Sequence, residues 1–158
     1  MARTVLLRID DRLLHGQIGR AWYPEVDADI IVVANDQVHA QEDQQKLMDL
    51  VTPIGSKTYF LSLGQTSGEL ADMEADKNAI VLVESPEDAL KLIEAGLVVD
   101  SVNIGNMKKL AGKKEVNTDV YVGEKDIEYL REIEESGHSL DIRTVPSDEP
   151  TSADKIFD

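Results

Sequence analysis

The chain has 158 residues, 42% of them hydrophobic and 30% charged, which suits one globular domain with a sizeable core and excludes disordered and fibrous classes. With 16 basic against 31 acidic residues the formal charge is −15, which disfavours nucleic acid and anionic lipid as main partners because their phosphates would be repelled. The absence of cysteine removes disulfides, thiolate metal sites and cysteine nucleophiles. No apolar run approaches the roughly 18 residues that span a bilayer, and Met-Ala-Arg-Thr-Val lacks a signal-peptide pattern, so a cytoplasmic domain is expected.

Apolar, β-branched runs alternate with helical patterns. Thr4 to Ile9 reads as the first strand, and a helix is expected after Gln17, through Ala21 and Trp22. Asp29 to Ala34 is a second strand, apolar throughout as in a strand buried on both faces. Gln41 to Val51 carries Leu47, Leu50 and Val51 at helical spacing before Pro53. Lys57 to Leu63 and the apolar Ala79 to Val83 are the third and fourth strands. Ser85-Pro86-Glu87-Asp88 is a helix start: a capping serine, a proline in the first turn, and acids at the positive end of the dipole. Ala89, Leu90 and Ile93 supply its apolar stripe and Gly96 its stop. Ser101 to Ile104, Asp119 to Val122 and Ser139 to Val145 are shorter strands, and Glu124 to Ser136 is a helix with Ile127, Leu130 and Ile133 on one face. Pro146 to Asp158 forms a tail or a short packed helix. Strand–helix alternation with short connections predicts an α/β fold: an open, mostly parallel sheet covered by helices on both faces.

In such sheets ligands bind beyond the carboxyl ends of the strands. Of the loops there, the one after the first strand is densest in reactive groups: Arg8-Ile9-Asp10-Asp11-Arg12-Leu13-Leu14-His15-Gly16-Gln17. His15 is its one candidate nucleophile near neutral pH. Arginine carries a permanent charge on a planar fork that matches phosphate oxygens. An aspartate bonded to one imidazole nitrogen fixes the tautomer and leaves the other free to attack. A helix starting near His15 aims N–H groups at an anion, and Gly16 lets a bulky group approach closely. A lone histidine or an Arg-Asp-Asp-Arg cluster is ordinarily structural. Their overlap in one strand-to-helix loop instead describes a site that carries a phosphoryl group. His39 and His138 lie in polar helical surroundings, and three histidines without cysteine make a transition-metal site unexpected.

The ten-residue loop closely resembles the phosphorylation-site loop of the IIB component of the bacterial phosphoenolpyruvate-dependent sugar phosphotransferase system (PTS), mannose/fructose/sorbose type. Ile31-Val32-Val33-Ala34-Asn35-Asp36, Val102-Asn103-Ile104-Gly105-Asn106-Met107 with Gly112-Lys113-Lys114, and Val145-Pro146-Ser147-Asp148 resemble further segments of that family, in order, over roughly residues 4 to 150. The resemblance implies a sheet of about seven strands, one antiparallel. It also implies that His15 accepts a phosphoryl group, on Nδ1, from a phosphohistidine of a IIA protein. The group then passes to a sugar held by the membrane components IIC and IID, at the inner face of the cell membrane. On this basis Arg8 and Arg12 are expected to hold the transferring oxygens and Asp10, or Asp11 instead, to orient the imidazole. Gly16 and Gln17 would offer backbone donors, and Asn35, Gly105 and Asn106 further loop contacts. No metal or cofactor is expected, the phosphohistidine itself being the carrier, and a homodimer is possible. Gly105-Asn106-Met107 departs from the Gly-Gly-Met form of mannose-type members. With Ala34-Asn35-Asp36-Gln37-Val38 and Gln44-Gln45-Lys46-Leu47-Met48, it resembles members serving N-acetylgalactosamine or galactosamine.

The alternative of another class is a receiver-like signalling module using the Asp10/Asp11 pair to hold magnesium. The third strand's lack of an aspartate at its tip, Leu61-Ser62-Leu63-Gly64, weighs against it.

Overall fold

The computed structural model describes residues 1–158 and contains a six-stranded, wholly parallel sheet in the order β3-β2-β4-β1-β5-β8. Its strands are β1 (Arg3–Asp10), β2 (Ile30–Ala34), β3 (Lys57–Leu61), β4 (Asn78–Val83), β5 (Ser101–Asn106) and β8 (Ser139–Ile142). A separate antiparallel ribbon joins β6 (Lys114–Asn117) to β7 (Val120–Val122) and meets the sheet just past the end of β5 through a Met107–Val120 bridge. The seventh strand expected of the sheet is therefore in this ribbon, and Lys114–Asn117 is an additional strand.

The period-two alternation of each strand sorts its side chains onto two faces. Leu7 and Ile9 of β1, Ile30 and Val32 of β2, Ala79, Val81 and Val83 of β4, and Val102 and Ile104 of β5 face the larger core. That face is covered by α4 (Leu63–Asp72), α5 (Pro86–Glu94) and α6 (Glu124–Glu135), through Leu70, Leu92, Leu130 and Ile133. Ile31, Val33, Ile80 and Leu82 face a smaller core closed by Leu13, Leu14, Ile18, Trp22 and Val38. The latter residues come from the loop after β1, a π-helical turn (Ile18–Trp22) running into α1 (Tyr23–Glu25), and α2 (Asp36–His39). Arg8 and Asp10 share the face of this smaller core, because they alternate with Leu7 and Ile9.

The connection leaving β1 runs to β2 on one side, whereas that leaving β5 runs by way of α6 to β8 on the other. The crevice between the carboxyl ends of β1 and β5 is thus the point where the winding reverses, the place where such sheets bind ligands.

Local chemistry explains most element ends. Ser85 caps α5 by accepting from Asp88 N–H, and Pro86 occupies its first turn. Gly96 and Gly137 follow α5 and α6 with φ of 104° and 97°. The strand expected to run to Leu63 stops at Leu61, because Ser62 and Gln65 form a reciprocal capping box that starts α4. In α3 (Glu42–Asp49) the apolar residues at helical spacing do not form a buried face: Leu47 and, just beyond the helix, Leu50 are 66% and 80% exposed, and Met48 packs inward instead. The final residues form the short helix α7 (Asp154–Phe157), seated by buried Ile156.

Candidate active site

Asp10 ends β1 with its carboxylate fully buried and surrounded by donors. Oδ2 accepts from Arg8 Nε at 3.2 Å and Nη2 at 2.9 Å, from Arg12 Nη2 at 3.3 Å, and lies 2.7 Å from His15 Nε2. Oδ1 accepts from the Arg12 backbone N–H at 2.9 Å and from Arg12 Nε at 3.2 Å. The backbone bond is an Asx turn, and Leu13 N–H to Asp10 C=O closes the same turn. Closing it places Leu13 at φ 58°, a conformation costly for a residue with a Cβ, while its side chain anchors in the smaller core. The loop is held at both ends, and His15 is delivered to Asp10 five residues later.

Burial by itself would raise the Asp10 pKa. The hydrogen bonds from His15 and Arg12 and the charge of Arg8 outweigh it and hold the group at about 2. Asp10 is therefore an ionised acceptor at neutral pH, so the hydrogen between it and the imidazole belongs to His15 Nε2. In the neutral ring that leaves the lone pair on Nδ1. The ring is 18% exposed, enough for a partner to reach it.

Asp11 points elsewhere, accepting from Asn106 Nδ2 at 2.6 Å and from the Lys108 N–H at 2.7 Å. It ties the β1 loop to the β5 loop, and Asp10 alone orients His15. The acidic pair needed by a receiver-like module is not assembled, since the two carboxylates serve different donors.

Arg8 requires a correction. It was expected on the transferring oxygens, but its guanidinium is fully buried. Besides Asp10 it donates from Nη1 to Asn103 Oδ1 and the Thr144 carbonyl, each at 2.9 Å, and it stacks on Trp22 at 5.6 Å. Burial pulls its pKa down and the charge of Asp10 pushes back. Its role is to fix Asp10 from behind. Arg12, 43% exposed, faces the opening and extends Nη2 toward Gln17 Oε1 at 3.4 Å. Asn35 is a second correction: it caps α2 through Val38 N–H, on a strand that β4 separates from β1. Gly105 is not a surface contact either. A Cβ there would lie 2.0 Å from Arg8 Cζ, so the glycine makes room for the buried guanidinium.

Gly16 and Gln17 open the helical run after His15, where first-turn N–H groups lack intrahelical partners. A Cβ on Gly16 would lie 2.7 Å from Nη1 of Arg20, whose guanidinium rests over it.

Residues 4–158 match the family model for the PTS system sorbose subfamily IIB component. The chain belongs to this family. It is 34% identical over 146 residues, 92% of each chain, to the N-acetylgalactosamine-specific phosphotransferase enzyme IIB component 1 of Escherichia coli. It is 33% identical to the sorbose-specific EIIB component of Klebsiella pneumoniae, across 92% of this chain and 90% of that one. It also matches the mannose-specific EIIAB component of Escherichia coli at 34%, spanning 45% of that longer protein. Among solved structures, the IIBSor domain from Klebsiella pneumoniae superposes with a TM-score of 0.91 at 32% identity, covering 98% of this chain and 96% of that one. The N-acetylgalactosamine-specific IIB component 1 from Escherichia coli gives 0.90 at 32%, covering 95% and 99%.

Several residues of this IIB site fell outside the residues singled out by sequence. Asn103 receives Arg8 and donates to the Asp141 and Arg143 carbonyls. Trp22 donates from Nε1 to the Thr144 carbonyl, and the guanidinium groups of Arg8 and Arg143 lie 5.6 and 5.4 Å from its ring. The signal for Asn103 was alternation: within an apolar β5 it shares one face with Gly105, as Arg8 and Asp10 do on β1, and Arg8 pairs in register with Asn103. Trp22 and Thr144 had no such signal, because a π-turn and a loop obey no period.

Proposed function

We propose that His15 is the phosphoryl-carrying residue of this IIB component. It takes the group from a phosphohistidine of a IIA protein and delivers it to a sugar bound by the membrane components IIC and IID, at the inner face of the membrane. The observation that carries this reading is the 2.7 Å bond between His15 Nε2 and an Asp10 held at about 2, which leaves Nδ1 nucleophilic. In the first transfer the donor N–P bond breaks, a bond from phosphorus to Nδ1 forms, and the electron pair returns to the donor imidazole. In the second, the Nδ1–P bond breaks as a sugar oxygen attacks, and the hydroxyl proton leaves to solvent or a partner base. Both are in-line displacements, in which the protein contributes positioning and charge. Arg12 and the N–H groups of Gly16 and Gln17 are the donors at the opening, so neither metal nor cofactor is needed. That a relative is named EIIAB supports a IIA partner.

For the sugar, the Gly105-Asn106-Met107 loop and relatives named for N-acetylgalactosamine support that amino sugar or galactosamine. No helix is long and apolar enough to cross a membrane.

The test is incubation with phosphoenolpyruvate, the two general phosphotransfer proteins and a matching IIA, for the natural chain, His15→Ala and His15→Gln. The expected outcome is a mass gain of one phosphoryl group on the natural chain alone, stable to alkali and lost in acid. Equal labelling of the variants would move the site elsewhere.

A further inference from the structure

The site's cations are unequally available. Arg8 is buried and committed to Asp10, Asn103 and Thr144. Arg12 divides its donors between Asp10 and Gln17. One of these two positive charges balances Asp10, so the three side chains together carry a net charge of about +1. A phosphoryl group brings nearly two further negative charges into a chain whose net charge is already −15.

Arg20 is differently placed. It stands one helical turn after Gly16, and helical side chains lean toward the helix N-terminus. With no Cβ on Gly16, its guanidinium lies back over that residue: a built Cβ would be 2.7 Å from Nη1 and 2.9 Å from Nη2. Gly16 directly follows His15 in the chain, so an unpaired guanidinium lies over the backbone next to the residue that bears the imidazole. Arg20 enters no ion pair or side-chain hydrogen bond, unlike Arg8, Arg12 and Arg143. The shallow groove around it is walled by Gly16, Gly19, Leu50, Val51 and Pro53, with no carboxylate among them. In a chain with 31 acidic residues, this arginine forms an ion pair with none.

We propose that Arg20 is a second phosphoryl-binding arm of the site. Resting on His15 as the carrier, it donates N–H groups to the non-bridging oxygens as the group arrives and leaves. No proton changes hands. Gly16 is thereby given a further reason to be glycine, since any side chain there would displace the guanidinium from the entrance.

The experiment uses the full chain, Arg20→Gln and Arg20→Lys, all at low salt, with thermal unfolding as a check that this exposed position leaves the fold intact. Two quantities are read: kcat/KM for phosphorylation by phospho-IIA, and the Kd for inorganic phosphate followed by the Gly16 amide resonance. Loss of one charge-assisted hydrogen bond at an open site predicts about a tenfold fall in kcat/KM and about a tenfold rise in Kd for Arg20→Gln, with partial recovery in Arg20→Lys. Unchanged phosphate affinity in Arg20→Gln overturns the proposal, whether or not kcat/KM falls, because a fall alone marks a docking contact. If the natural chain takes no phosphoryl group at all, the His15 reading fails, and the phosphate titration still decides the role of Arg20.

Discussion

Replacing Asp10 by asparagine tests the site's central element, because shape is kept while the charge is removed. Two magnitudes follow. The folded pKa of about 2 against an ordinary 3.8 corresponds to about 2.5 kcal/mol at 1.36 kcal/mol per pH unit. The substitution also leaves the buried Arg8 guanidinium facing an amide, and breaking a buried pair costs about 3–5 kcal/mol. The expected loss is therefore about 3 kcal/mol or more at pH 7, read from urea unfolding as a lower midpoint with the slope preserved. Since folding depresses this carboxyl's pKa, its stabilisation is complete above about pH 4 and is lost as pH falls through about 2. The gap between the two proteins should narrow over that range. Transfer should suffer separately. An amide has one acceptor oxygen, and Arg8, Arg12 and His15 compete for it. Where the NH₂ faces His15 it donates to Nε2, moves the ring hydrogen to Nδ1 and removes the nucleophile. A fall of about 10²–10⁴ in phosphorylation rate is expected. A variant within about 0.5 kcal/mol of the natural chain, or ¹⁵N spectra placing the natural ring's hydrogen on Nδ1, would refute the reasoning.

Two more outcomes are expected. Gly105→Ala places a methyl group on Arg8, whose guanidinium cannot yield without abandoning Asp10, Asn103 and Thr144. Urea unfolding should show a loss of about 3 kcal/mol, and a loss under about 1 would mean that Arg8 has another seat. At the start of α5, Asp88 is raised to about 6 by burial and by the charges of Glu84, Glu87 and Asp36, against the pull of Lys91. The folded chain there holds its proton more tightly than the unfolded chain, so this group's contribution to stability declines as pH rises from about 4 through about 6. Asp88→Asn should therefore be the more stable protein at pH 7 and lose that advantage by pH 4, as followed by thermal unfolding at each pH; a constant difference would remove Asp88 as the cause.

The strands of the sheet were legible because β2 and β4 are buried on both faces, and continuous apolar runs such as Ile30–Ala34 suit little else. Helices with strong local punctuation were legible too, as Ser85-Pro86 and Gly137 show. Leu63–Asp72 was not, because Gly64, Gly68 and two hydroxyl residues mask the period, and its start depends on a reciprocal cap. The exposure of Leu47 and Leu50 was not legible, because periodicity reports an apolar face without saying whether anything covers it. At the site, the loop's residue types announced phosphoryl chemistry. They did not divide the labour, because that division is set by the strand's pleat. Arg8 and Arg12 look alike as letters, yet one is a β1 residue turned into the smaller core and the other lies past the strand's end.

That division has a chemical consequence. On the proposed reading, with phosphorus on Nδ1 and hydrogen on Nε2, the ring gains positive character, and the carboxylate at 2.7 Å stabilises it. A carrier must also release its cargo, so stabilisation of this state has to be limited. Arg8 and Arg12 impose the limit by each donating to Oδ2, the carboxylate oxygen that faces the ring. A buried ion pair adds little net stability compared with hydrophobic packing. Its presence at the end of β1 is better explained by this tuning: Asp10 is ionised enough to fix the tautomer, and its charge is shared enough that the phosphoryl group remains transferable. On this account, replacing Arg8 would leave Asp10 more strongly basic toward His15, and the phosphorylated ring would become a poorer donor to the sugar even where it still accepted from IIA.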